Sequence, residues 1–174
     1  MLRLGPSIHE FLLKQIVDAT AKPWHDEVEK RMTKPAVHIA DTDDAIAARF
    51  PVMQELRPHL KDAADLVARV RRMQKQGFEL AYVAEGGKPV ACMGFRDCEM
   101  LHRNQSFYVD DLVTLPAVRS KGYGGILLDW LEARAKREGK GNIHLDSGTQ
   151  RLDAHHFYFR QRFGITSFHF VKTF

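Results

Sequence analysis

Gly122, Gly124 and Gly125 stand together in the run Val118-Arg119-Ser120-Lys121-Gly122-Tyr123-Gly124-Gly125-Ile126-Leu127-Leu128, between an apolar stretch and the start of an amphipathic one. Glycine admits backbone conformations closed to other residues and lets the main chain approach a ligand closely. A helix starting there aims its unpaired N–H groups and its positive dipole end at one point. The combination is an anion cradle. A phosphate group would accept hydrogen bonds from the N–H groups of residues 120–125, with Arg119 and Lys121 adding charge at the rim. Two common phosphate motifs do not fit. The Gly-x4-Gly-Lys-Ser/Thr pattern of a P-loop is absent, because Lys121 precedes the glycines, and the dinucleotide fingerprint lacks its glycine spacing and βαβ setting. A helix-start turn with ordinary glycines is the plain alternative.

Other residues near this turn can handle protons. Asp110 and Asp111 precede it on an expected strand, where side chains alternate, so one of the two faces a pocket at the turn and the other faces away. Solvent-facing or capping aspartates are the alternative for both. Further on, His144 and Asp146 alternate with Ile143 and Leu145, and His155 and His156 follow. That adjacent pair diverges by about 100° on a helix, so it is not the i, i+4 pair of a zinc helix, and no metal site is expected. His144, Asp146 and His155 are candidates for lining a pocket or relaying a proton, against ordinary surface or core hydrogen bonding. Cys92 and Cys98 form no Cys-x-x-Cys pair and read as reduced thiols.

The elements that must position these groups follow from periodicity. A short strand is expected over residues 36–40, then helices over about 43–56 and 63–76, the second closed by Gly77. Residues 78–84 and 89–95 read as a hairpin around Glu85-Gly86-Gly87-Lys88. A strand over 106–115 enters the glycine turn. Ile126, Leu127, Trp130, Leu131 and Ala135 then mark one face of a helix that stops at Gly139-Lys140-Gly141. A strand over 143–147, an aromatic-rich helix over 151–162 and a last strand over 165–171 complete the series. The loops at about 57–63 and 96–105 would set which second substrate fits. Upstream, Ser7 and Glu10 make a capping pattern before Ile8, Phe11, Leu12 and Ile16, and a second helix starts at Pro23 with Trp24, Val28 and Met32. Residues 1–35 therefore read as a helical extension, packed on its own domain or forming a homodimer contact.

A length of 174 residues with 44% apolar content fits one domain. No apolar run approaches the ~20 residues that span a bilayer, and the N-terminus does not read as a secretory signal, so a soluble cytoplasmic protein is expected. The net charge of +4 and pI near 9.1 favour anionic ligands. No aromatic and basic nucleic-acid motif accompanies them, so nucleic acid is not an expected partner.

The order of elements, with Val113-x-Leu115-Pro116-x-x-Arg119-x-x-Gly122-x-Gly124 between strand and helix and Ala154-His155-His156-Phe157-Tyr158 on a later helix, resembles the GNAT superfamily of acyl-CoA-dependent N-acyltransferases over residues 36–174. One departure stands out. The family's Gly-Phe pair, four and five residues after the tyrosine, is replaced by Arg162 and Phe163, with Gly164 following.

The resemblance implies an α/β (α+β) fold with a mixed, mostly antiparallel central sheet flanked by helices. It implies acetyl-CoA as donor and a primary amine as acceptor, with direct transfer between them. The pyrophosphate would lie on Arg119, Ser120, Lys121, Gly122, Tyr123, Gly124 and Gly125. Leu112, Val113 and Thr114 would offer backbone groups to the pantetheine arm and the thioester oxygen, and Ser147 and His155 complete the cofactor-binding set. Acylation needs a neutral amine, a stabilised oxyanion and a proton for the thiolate. An alkyl amine with a pKa of about 10.4 must first lose a proton, for which Asp111, or else Asp110, is the candidate acceptor. Tyr158 is the candidate acid, since a phenol near pKa 10 can protonate a thiolate whose thiol lies near 8.5; aromatic core packing is its other reading. A non-catalytic acyl-CoA sensor or interaction module on the same scaffold is the alternative function.

Overall fold

The structure, a computed structural model, describes residues 35–174. The helical extension expected over residues 1–35 lies outside the described residues but for Pro35. Five strands, β1 (Val37–Ile39), β2 (Phe78–Glu85), β3 (Lys88–Met100), β4 (Asn104–Thr114) and β5 (Asn142–Leu145), form one sheet in that order. All neighbours are antiparallel except β4 and β5, which run parallel. The helices are α1 (Asp43–Ala47), α2 (Phe50–Leu56), α3 (Ala63–Gln74), α4 (Tyr123–Arg137) and α5 (Leu152–Arg160). This is the mixed, mostly antiparallel sheet flanked by helices that the sequence led us to expect.

Helices cover both faces of the sheet. On one face Phe95 and Phe107 meet edge to face, with centroids 5.5 Å apart, under the α4 residues Leu127, Leu128 and Leu131. Burying each such leucine contributes about 1.5–3 kcal/mol, which is why a single apolar stripe suffices to dock the helix. On the other face Phe78, Leu80 and Cys92 pack against Ile46, Val52, Leu66 and Val70 of α1, α2 and α3. Local signals set the ends of these helices. The Thr42 hydroxyl accepts from the Ala45 N–H at 3.1 Å to cap α1, and Asp62 accepts from the Asp65 N–H at 2.8 Å to cap α3. The β2–β3 turn has Gly86 at φ 58° and Gly87 at φ 78°, the pair of left-handed residues that matches strand twist in a two-residue hairpin.

Three expectations require correction. The helical stretch 43–56 is two helices, broken at Ala48 and Arg49 ahead of Pro51, which sits in the first turn of α2 where its missing N–H costs nothing. Residues 96–105, read as a loop, mostly extend the β3–β4 hairpin, with pairs running from Arg96↔Tyr108 to Met100↔Asn104. The polar side chains on this stretch hide the alternation that marks a half-buried strand. Residues 165–171 form no strand: Phe168 and Phe170 stand exposed, and the outer edge of β5 has no strand partner among the described residues. Alternation there was real in sequence, but a strand needs a neighbour to bond.

Candidate active site

β4 and β5 pair only from Ser106↔Asn142 to Val109↔Leu145. Beyond that point residues 110–114 of β4 have no partner on the β5 side, and a cleft of about 890 Å³ opens beside them. Leu112, Val113 and Thr114 line it on one side, Arg119, Ser120, Gly122, Tyr123, Gly124 and Gly125 at one end, and Phe157 and Tyr158 of α5 across from them. The expected turn, strand and tyrosine thus share one cavity. Val113 turns its side chain into the α1–α3 core, so only its backbone faces the cleft.

The three glycines serve two physical needs. Gly122, at φ 89°, is the left-handed residue before α4; an added Cβ would meet nothing within 4 Å, so conformation alone requires glycine there. Gly124 and Gly125 are helical, and a Cβ on them would come within 3.1 Å of Phe157 and 3.3 Å of Gln161. Their smallness lets α5 lie against the first turn of α4. That turn has no side-chain cap, and its first intrahelical bond runs from the Ile126 N–H to the Gly122 carbonyl at 3.0 Å. The N–H groups ahead of Ile126 are therefore donors for an anion in the cleft. Arg119, Arg151 and Arg160 line the same cavity. Lys121 does not; it pairs with Glu85 at 3.3 Å. Tyr123 is buried in the core by its ring.

Tyr158 is packed edge to face between Phe157 and Phe163, at 5.4 and 5.8 Å. Burial pushes its phenol above the ordinary value, with the positive charge of Arg151 opposing. It therefore enters the cleft as a neutral donor. Its hydroxyl has no hydrogen-bond partner among the described residues.

The β4 aspartates behave differently from the alternation expected of them. Phe95 pairs with Val109 and Gly94 with Asp111, leaving Asp110 as the extra residue of a β-bulge. The bulge resets the alternation and turns both carboxylates to one face. Asp110 is held by Arg96, which donates from Nε at 2.8 Å and Nη2 at 2.9 Å, and Arg96 lies over the Phe78 ring. Asp111 sits by that same ring, where a Cβ on Gly94 would touch both. Arg57 donates from Nε to Asp111 at 2.6 Å and from Nη2 to the Asp110 carbonyl at 3.1 Å. Asp111 is only 8% exposed, and burial raises its pKa against the pull of Arg57. Neither aspartate lines the cleft. Both are ion-paired beside it, Asp110 with Arg96 and Asp111 with Arg57.

Ser147 and His155 also fall outside the cavity lining. Ser147 follows the end of β5 at Leu145, and the His155 Nε2 lies 3.0 Å from the Gly148 carbonyl in its own loop. His144 contacts the Ser106 hydroxyl at 3.2 Å and faces Tyr108, which donates to Asp146 at 2.9 Å. Among the described residues no cluster of three or more metal-ligating side chains occurs. Sequence reasoning missed Glu55 and Leu56 of α2 and Gln150, Arg151 and Asp153 near α5, all of which line the cleft. No motif includes them, because what brings them to the cleft is the docking of whole helices.

A family model for the acetyltransferase (GNAT) family matches residues 39–165. The uncharacterized N-acetyltransferase YhdJ of Bacillus subtilis is 36% identical over 127 residues, covering 72% of this chain and 89% of that protein. An aminoalkylphosphonate N-acetyltransferase of Salmonella typhimurium is 35% identical over 71 residues, 41% of this chain and 46% of its own length. Among solved structures, a ribosomal-protein-alanine N-acetyltransferase of Brucella melitensis superposes with a TM-score of 0.68 at 18% identity, covering 80% of this chain and 99% of that one. An aminoglycoside N-acetyltransferase in complex with CoA gives 0.66 at 12% identity, covering 82% and 97%. These two likenesses concern the fold.

Proposed function

The chain belongs to the acetyltransferase (GNAT) family and is an N-acetyltransferase acting on an amine; from that membership we propose how its cleft does so. The observation that carries the reading is the meeting, in one cavity, of the uncapped start of α4, the stretch of β4 that leaves β5 and the hydroxyl of Tyr158, which has no partner among the described residues. Residues 120–125 hold the pyrophosphate of acetyl-CoA through backbone N–H groups, and Arg119 adds charge beside them. Leu112, Val113 and Thr114 offer main-chain groups, left without a β5 partner, to the pantetheine arm. Acetyl-CoA supplies an activated thioester there. Tyr158 donates its proton to the departing sulfur; that sulfur is shielded from water in the same cleft, which raises its own demand for the proton.

The acceptor is a primary amine. Aminoalkylphosphonates belong in the first panel tried, with polyamines, amino acids, aminoglycosides and peptide N-termini. Amine-dependent release of CoA thiol, measured across this panel, tests the reading; release by no member would contradict it.

The protein is further read as a cytoplasmic homodimer in which residues 1–35 form a helical extension. In support, no helix among the described residues is long and apolar enough to cross a membrane, and the chain beyond α5 exposes several large apolar side chains. Light scattering of the full chain tests the dimer.

A further inference from the structure

We propose that Glu55 is the carboxylate that receives the acceptor ammonium and takes its proton, and that the Arg57–Asp111 pair is the latch that positions it. The inference rests on the acetyltransferase reading above. It starts from the state of the carboxylates around the parted strands. Asp110 has both oxygens on Arg96, and Asp111 is buried against Arg57. Neither lines the cleft, and each already accepts hydrogen bonds from a guanidinium. Glu55 does line the cleft, together with Leu112, Thr114 and Tyr158, and it is exposed with no ion-pair or hydrogen-bond partner among the described residues.

Its place is set by the residues that follow it. Arg57, the C-cap of α2, reaches over the bulge to bond both the Asp111 carboxylate at 2.6 Å and the Asp110 carbonyl at 3.1 Å. The last turn of α2 is thus tied to β4 at the point where β4 leaves β5. Leu56, beside Glu55, packs into the α1–α3 core while also lining the cleft. The pair on the sheet therefore anchors a helix end whose own carboxylate, unpaired among the described residues, lines the cavity. Asp153 also lines the cleft, but from the first turn of α5 and not from the α2 end that Arg57 ties to β4.

The chemistry balances as follows. The ammonium gives one proton to Glu55, and the freed nitrogen lone pair attacks the thioester carbonyl carbon. As the N–C bond forms and the C–S bond breaks, Tyr158 passes its proton to the sulfur. The second nitrogen proton, released as the amide forms, restores the Tyr158 phenol. The proton on Glu55 leaves to water.

The experiment measures kcat/KM against pH for wild type, Glu55→Gln and Arg57→Ala, with 2-aminoethylphosphonate and spermidine as probes and any more active member of the amine panel added. Acetyl-CoA affinity is measured separately by calorimetry. At pH 7 Glu55→Gln is expected to lose about 10²-fold in kcat/KM with acetyl-CoA affinity unchanged. The deficit shrinks as pH rises toward the amine's own value of about 10.4, where the free amine no longer needs a proton acceptor. Arg57→Ala gives a smaller loss, and adding Glu55→Gln to it costs less than in wild type, because the two substitutions act on one element. Activity of Glu55→Gln within twofold of wild type, or a deficit constant across pH, overturns the role of Glu55. Additive losses overturn the latch. Wild type that binds acetyl-CoA but acetylates no amine would instead contradict the underlying reading.

Discussion

As the proposed general acid, Tyr158 would couple two demands that pull against each other: holding its proton until sulfur departs, and then giving it up. Burial against Phe157 and Phe163 favours the first by raising the phenol pKa. The acid therefore stays protonated above the usual phenol value of about 10, and any fall in kcat caused by its ionisation lies above that pH. Tyr158→Phe keeps the rings packed and removes the proton, so kcat should fall about 10²-fold with acetyl-CoA affinity within twofold of wild type. Steady-state kinetics as a function of pH, with calorimetry alongside, checks both parts. The glycines separate in the same way. Gly122→Ala forces a Cβ into the left-handed region at a cost of about 1–2 kcal/mol and should weaken acetyl-CoA binding by distorting the turn. Gly124→Ala crowds Phe157 instead, so its effect should appear in kcat through the displaced α5, with a smaller change in cofactor affinity. Reversal of that pattern would mean that the two positions do not divide conformation from packing.

The bulge and the latch belong to the scale of elements. Asp111 has its pKa raised by burial even with Arg57 beside it, so the folded state penalises its ionised form relative to the unfolded chain. Its contribution to stability is complete below the ordinary aspartate value of 3.8 and is lost as pH rises through the raised one. Asp111→Asn cannot ionise. Relative to that variant, wild type should lose stability progressively as pH climbs through this window, as measured by the difference in thermal midpoint at each pH; a difference that grows in the opposite direction would contradict the sign. The bulge itself was not legible in the sequence. Asp110 and Asp111 read as an ordinary alternating pair, because the extra residue on β4 is defined by its register with β3, a relation between distant segments. The glycine turn, the helix after it and Tyr158 were legible, since each rests on spacing within one short stretch. Glu55 was not, because only the docking of α2 against β4 brings it to the cleft. The extension of β3 and β4 through residues 96–105 was hidden for a related reason: its polar side chains carry no burial pattern to read.

At the scale of the whole molecule the sheet ends unevenly. β5 is an outer strand of four residues, and its free edge presents main-chain groups that no described strand satisfies. Beyond α5 the chain passes the two ends of that strand, with Arg103 donating to the Thr166 hydroxyl at 3.3 Å and His169 lying 3.1 Å from Asp146. Ile165, Phe168, Phe170, Val171 and Phe174 remain 71–106% exposed. Burying a side chain of this size contributes about 1.5–3 kcal/mol, so covering even two or three of them per copy would offset much of the cost of association. The open edge and the alternating apolar segment are complementary, and in the proposed homodimer each copy would supply its segment to the other's edge. The full chain is therefore expected to be a dimer at micromolar concentration by light scattering. The double substitution Phe168→Lys and Phe170→Lys should give a monomer whose far-UV circular dichroism matches wild type, since neither side chain packs within its own described domain. A monomeric wild type across the concentration range, or a dimer untouched by the two lysines, would show that this segment does not hold the copies together.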